Sequence, residues 1–121
     1  MARSHVLIVA EEPAVVEVLS EVIATMADRI NVARSAAQAL AALSAFRPAA
    51  TVLDLSITRG IDLLRRIRRD HPRIPMIVIG EAGRSAPPDI GELGVAGYLD
   101  RPLDRAAVSL LLTVVLTRRA E

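Results

Sequence analysis

Three acids, one glycine and one arginine stand where apolar runs give way to loops. Glu11 and Glu12 follow Val6-Leu7-Ile8-Val9-Ala10, and Asp54 closes Ala49-Ala50-Thr51-Val52-Leu53. Gly80 ends Pro75-Met76-Ile77-Val78-Ile79, and Arg101 follows Val95-Ala96-Gly97-Tyr98-Leu99-Asp100. A short run rich in β-branched residues that ends in turn-forming residues reads as a buried strand. In open parallel sheets the carboxyl ends of strands are where ligands bind. Asp54 taken alone reads equally well as a cap of a turn or of the next helix. As a set the residues say more. Carboxylates brought together repel unless a cation joins them, and oxygen-only ligands on loops suit Mg²⁺. A basic side chain facing them would hold an anion against that ion, an arrangement fitted to transfer of a phosphoryl group onto a carboxylate.

The elements that must position these residues follow from the pattern. Val6 to Ala10 is the continuous apolar profile of a central parallel strand. Pro13 opens a helix carrying Val15, Val18, Leu19, Val22, Ile23 and Met26 at helical spacing. A second strand at Ile30-Asn31-Val32-Ala33 is followed by Ser35 and Gln38, a capping box opening a helix that buries Leu40, Leu43 and Phe46. Gly60 leads into a helix from Ile61 to Arg69 with an apolar stripe at Ile61, Leu64 and Ile67. Residues 81–94 hold Pro87, Pro88 and three glycines, leaving room for a short helix only. Asp104 caps a last helix from Arg105 to about Arg119, apolar along Leu110 to Leu116. Five strands alternating with five helices predict a parallel sheet covered on both faces through right-handed crossovers.

Composition narrows the function classes. The 121 residues suit one domain spanning 1–121, with no output domain of its own. There is no cysteine, hence no disulfide, thiol nucleophile or thiolate metal site, and His5 and His71 lie too far apart in sequence to suggest a histidine metal site. All fifteen basic residues are arginine, yet the net charge is only +1. The arginines at 65, 66, 68, 69 and 73 have no interleaved aromatics, so they read as a solvated helix face and direct nucleic-acid binding is not expected. No apolar run is long enough to span a bilayer and no secretory signal pattern opens the chain, so a cytoplasmic location away from membranes is the expectation.

With these residues in place, the sequence resembles the receiver domains of bacterial response regulators over nearly its whole length. The likeness rests on Val6-Leu7-Ile8-Val9-Ala10-Glu11-Glu12-Pro13, on Val52-Leu53-Asp54-Leu55, on Gly60 to Arg68, and on Gly94 to Asp104. The resemblance implies a flavodoxin-like, doubly wound α/β sheet in the order 2-1-3-4-5. It implies Asp54 as the residue that accepts phosphate from a histidine kinase or phosphotransfer protein. Glu11, helped by Glu12, would touch Mg²⁺ together with Asp54 and the backbone carbonyl of Ser56. Arg101 stands at the family's lysine, Tyr98 at its switch aromatic, and Pro102 at a proline that often follows a cis bond. No separate substrate is implied, only phosphorylation and dephosphorylation of Asp54 itself.

The departures from that pattern are informative. Ala10 replaces one acid of the usual pair, which weakens the metal site. Gly80 replaces a Ser or Thr whose hydroxyl follows the phosphoryl group. A hydrogen bond to a charged group contributes roughly 1.5–3 kcal/mol, so its loss weakens on/off coupling by roughly tenfold to a hundredfold. Arginine at 101 is larger and planar where lysine is a point charge. The loop after Asp54 is shorter than the family's, with Thr58 in place of a proline.

Four readings follow. The leading one is a receiver-like signalling module that keeps Asp54, has a degraded switch and acts on another signalling protein through a fixed surface. The second is a conventional receiver whose phosphorylation shifts a homodimer equilibrium through its fourth helix, fifth strand and last helix. A flavin-binding module or enzyme of the same architecture is disfavoured, because Glu11-Glu12-Pro13 repels phosphate and lacks a Gly/Ser/Thr-rich cradle. The last is a receiver belonging to a longer regulator or hybrid kinase.

Overall fold

Val6, Leu7, Ile8 and Val9 are all fully buried, as a strand covered on both faces requires. The computed structural model describes residues 4–120, with side chains as far as residue 117. Its elements run β1 (His5–Val9), α1 (Pro13–Ile23), β2 (Arg29–Ala33), α2 (Ala36–Ala45), β3 (Ala50–Asp54), α3 (Gly60–Asp70), β4 (Met76–Ile79), β5 (Gly97–Leu99) and α4 (Arg105–Ala120). All strand pairs are parallel, in the order β2-β1-β3-β4-β5. Alternation along the strands divides the core in two. Val6, Ile8, Val52, Ile77 and Ile79 pack with α1 and α4, whereas Leu7, Val9, Leu53, Met76 and Val78 pack with α2 and α3.

The helix ends follow their local chemistry. Pro13 begins α1, which closes at Ile23, so Met26 falls in the following turn. Ser35 accepts from the Gln38 amide at 3.2 Å, and the Gln38 side chain reaches back to the Arg34 amide at 2.7 Å. Asp104 accepts from the Ala106 amide at 3.0 Å and opens α4. Within α4, Val108, Leu112 and Val115 are buried, while Leu110 and Val114 remain 68% and 43% exposed.

One expectation is corrected: four helices, not five, flank the sheet among the described residues. Residues 81–96 form turns. The Ile90 amide bonds back to Pro87 and the Leu93 amide to Asp89, but Gly83 and Gly94 take positive φ (73° and 62°), and two adjacent prolines remove donors. A dimer surface built on a helix between β4 and β5 therefore has no such helix to use.

Candidate functional site

The site begins with what happens to the chain after Asp54. The Leu55 amide extends the ladder to the Ile79 carbonyl, and the Ser56 amide then turns back to Asp54 Oδ1 at 2.9 Å. Gly60 starts α3 so close to this turn that a Cβ there would lie 2.5 Å from the Leu55 carbonyl oxygen. Arg59, just before it, adopts a left-handed φ of 59°. Together these residues fold the loop back tightly under Asp54.

From the far edge of the sheet Arg101 reaches across, just ahead of a cis peptide bond to Pro102. Its Nη2 donates to both Asp54 oxygens at 2.6 Å and to Ser56 Oγ at 3.0 Å. Its Nε donates to the Gly80 carbonyl at 2.9 Å, and Nη1 lies 3.8 Å from Glu12 Oε2. The Asp54 side chain is 1% exposed and that of Arg101 is 18% exposed. A carboxylate this deep must be matched by charge and donors, and the guanidinium with the Ser56 amide supplies both. The acid thus sits at the strand mouth, but it lies under an arginine. Lysine at this position would cover it less fully, being a single point of charge.

The remaining predicted residues fall as follows. Ala10 is fully buried, its amide bonded to the Ala33 carbonyl, so no second acid serves the site there. Glu11 is exposed at the same rim, and Glu12 is the acid that approaches Arg101. Tyr98 is half-buried against the α2/α3 face of the sheet. Burial chiefly, then the nearby Asp100 and Glu81 charges, push its phenol pKa above the ordinary value, keeping the hydroxyl protonated. Two contributors escaped the sequence reading: the Ser56 hydroxyl, which faces Arg101, and the Gly80 carbonyl. A serine two residues after a strand-end aspartate is the signal of an Asx turn, which brings the first into view.

Magnesium was the implied ion, and the residues as arranged do not fit it. One guanidinium nitrogen already stands against both Asp54 oxygens, where a divalent ion would have to bind. Among the described residues no group of three or more His, Asp or Glu side chains is placed to share a cation. Among the described residues, the positive charge paired with Asp54 is that of Arg101.

The response regulator receiver domain profile matches residues 6–113. The chain belongs to that family. Among curated relatives, the receiver is 30% identical to a probable transcriptional regulatory protein TcrX of Mycobacterium tuberculosis, over 93% of this chain and 50% of that one. The chain thus spans about half the length of the curated relative it matches. Its fold is that of a CheY-like receiver domain protein from Methanospirillum hungatei, at a TM-score of 0.85, 15% identity and 98% coverage of both chains. NtrX from Brucella abortus contains a similar fold, at a TM-score of 0.84 and 21% identity, over 98% of the receiver and 27% of NtrX. Among the described residues, no helix is long and apolar enough to cross a membrane.

Proposed function

We propose that this receiver keeps Asp54 as its phospho-acceptor but holds it in a closed ion pair, and that it signals mainly through a fixed surface offered to another protein. The observation that carries this reading is Arg101 Nη2 at 2.6 Å from both Asp54 oxygens, over a carboxyl group 1% exposed. In phosphoryl transfer an Asp54 oxygen forms the new bond to phosphorus while the donor's leaving group departs with the electron pair of the broken bond. That oxygen must first lose its guanidinium partner, so uptake is slow. Ala10 and Gly80 support the same reading, because the site lacks an acid and a hydroxyl that would favour the phosphorylated state.

The test is intact-mass analysis after incubation with Mg²⁺ and a small acyl phosphate. Slow, partial gain of one phosphoryl group, absent in Asp54→Asn, is the expected result. Rapid, stoichiometric gain with a clear change in the backbone amide spectrum overturns it. A conventional phosphorylation-switched receiver is the second reading, favoured by an arginine already aimed at the acceptor carboxyl. That reading requires partner binding, whether to a histidine kinase, a phosphotransfer protein or a second copy, to change in Asp54→Asn. Equal binding by the variant and the parent removes it.

A further inference from the structure

Gly80 has a second role besides lending its carbonyl to Arg101. A Cβ built on it would stand 2.0 Å from the Tyr98 hydroxyl oxygen, 2.8 Å from Cζ and 3.4 Å from Cε1, and these are its three nearest neighbours. No side chain of any kind fits at position 80 while Tyr98 stays where it is. The register explains the meeting. Val78 pairs with Tyr98 across β4 and β5, so the ring rises from that face of the sheet and its tip lands over Gly80, the residue just past the end of β4. The Gly80 amide bonds to the Leu99 carbonyl, which holds the backbone of the two strands together at this point.

We propose that Gly80 is a notch that keeps the Tyr98 phenol tucked inward whatever the state of Asp54, so that the β5 face this ring shapes is permanently set. The missing side chain does not merely delete a contact. It vacates the space the ring then fills, and a ring already seated has nowhere further in to go when Asp54 changes. Among the described residues no hydrogen bond joins Tyr98 to Asp54 or Arg101; Arg101 reaches this region through the Gly80 carbonyl, a backbone contact that puts nothing into the notch itself. The proposal extends the fixed-surface reading and rests on it only for what Asp54 does; the notch itself is tested without phosphorylation.

Tyr98 is the single tyrosine and there is no tryptophan, so intrinsic emission reports this ring alone. Acrylamide quenching is compared in the parent chain, Gly80→Ala and Asp54→Asn, with urea unfolding of Gly80→Ala, Tyr98→Ala and the double variant. Gly80→Ala expels the ring and raises quenching about twofold or more, or else lowers the folding constant by about tenfold through overpacking. The folding cost disappears in the Tyr98→Ala background, because the obstructing atoms are gone. Asp54→Asn leaves quenching at the parent value. The proposal is overturned if Gly80→Ala changes neither quenching nor stability, if its cost persists without Tyr98, or if Asp54→Asn moves the ring as far as Gly80→Ala does. Should Gly80→Ala fail to fold, a folded double variant supports the notch and an unfolded one overturns it.

Discussion

The two sides of the rim have diverged in kind. On the β3 side the loop is tightly determined: the Ser56 amide is bonded to Asp54, and Gly60 has no room for a Cβ against the Leu55 backbone. The β4–β5 side is built differently. A glycine stands where the family has a hydroxyl, an aromatic ring fills the space above it, turns replace a helix, and an arginine lies over the acid. On the function proposed above, the difference teaches that one half of a site can hold a carboxylate in place while the other half no longer answers it.

Removing Arg101 breaks this comparison at its joint. Arg101→Ala leaves the Asp54 carboxylate buried without its partner, and urea unfolding should register a loss of about 3 kcal/mol, the low end for a broken buried pair because Arg101 retains some solvent contact. The same variant frees both Asp54 oxygens, so Mn²⁺ affinity followed by paramagnetic relaxation should rise by about tenfold. A stable variant with unchanged Mn²⁺ binding would show that the guanidinium is not what fills the site. Gly60→Ala probes the determined side. Its methyl group meets backbone atoms of Leu55 and not a flexible side-chain tip, so a loss of about 1–3 kcal/mol is expected from the same measurement. Little or no loss would mean that this loop is looser than its geometry indicates.

Smaller effects sharpen the contrast within the divergent side. Asp104→Ala removes the cap of α4 and should cost about 1 kcal/mol in thermal or urea unfolding. The turn region is tied to α3 by Arg65 and Asp89, whose contacts are 3.2 Å long. The Arg65 hydrogen bond holds the Asp89 carboxyl below its usual pKa. A carboxylate with a depressed folded-state pKa stabilises above its unfolded pKa and loses that contribution as pH falls through the folded value. The stability gap between the parent and Arg65→Ala should therefore be present at neutral pH, close as pH drops below about 4, and shrink with added salt. A gap that persisted in acid would exclude the ion pair as its source.

Much of this was legible in the sequence, for identifiable reasons. Strands buried on both faces read as unbroken apolar runs, which is why Val6 to Val9 and Met76 to Ile79 declare themselves. Ser35, Asp104 and Pro13 mark helix starts because capping is local chemistry. The helix count failed at residues 81–94, where strand-helix alternation suggested an element that two prolines and positive-φ glycines prevent. At the site, the run ends brought Asp54, Glu12 and Arg101 to one rim. How far the Arg101 side chain reaches, and the use of the Gly80 carbonyl, depend on rotamers and backbone atoms that residue types do not encode. The seating of Tyr98 over Gly80 depends on the pairing of β4 with β5, a long-range register that no local pattern reveals.

The Arg101 side chain touches Glu12, Asp54, Ser56 and the backbone of Gly80, so the loops after β1, β3 and β4 are all anchored to one movable group carried on the loop after β5. Hydrogen exchange at this end of the sheet should then open as a single cooperative unit. A partner that drew the guanidinium outward would loosen every one of those loops in the same event.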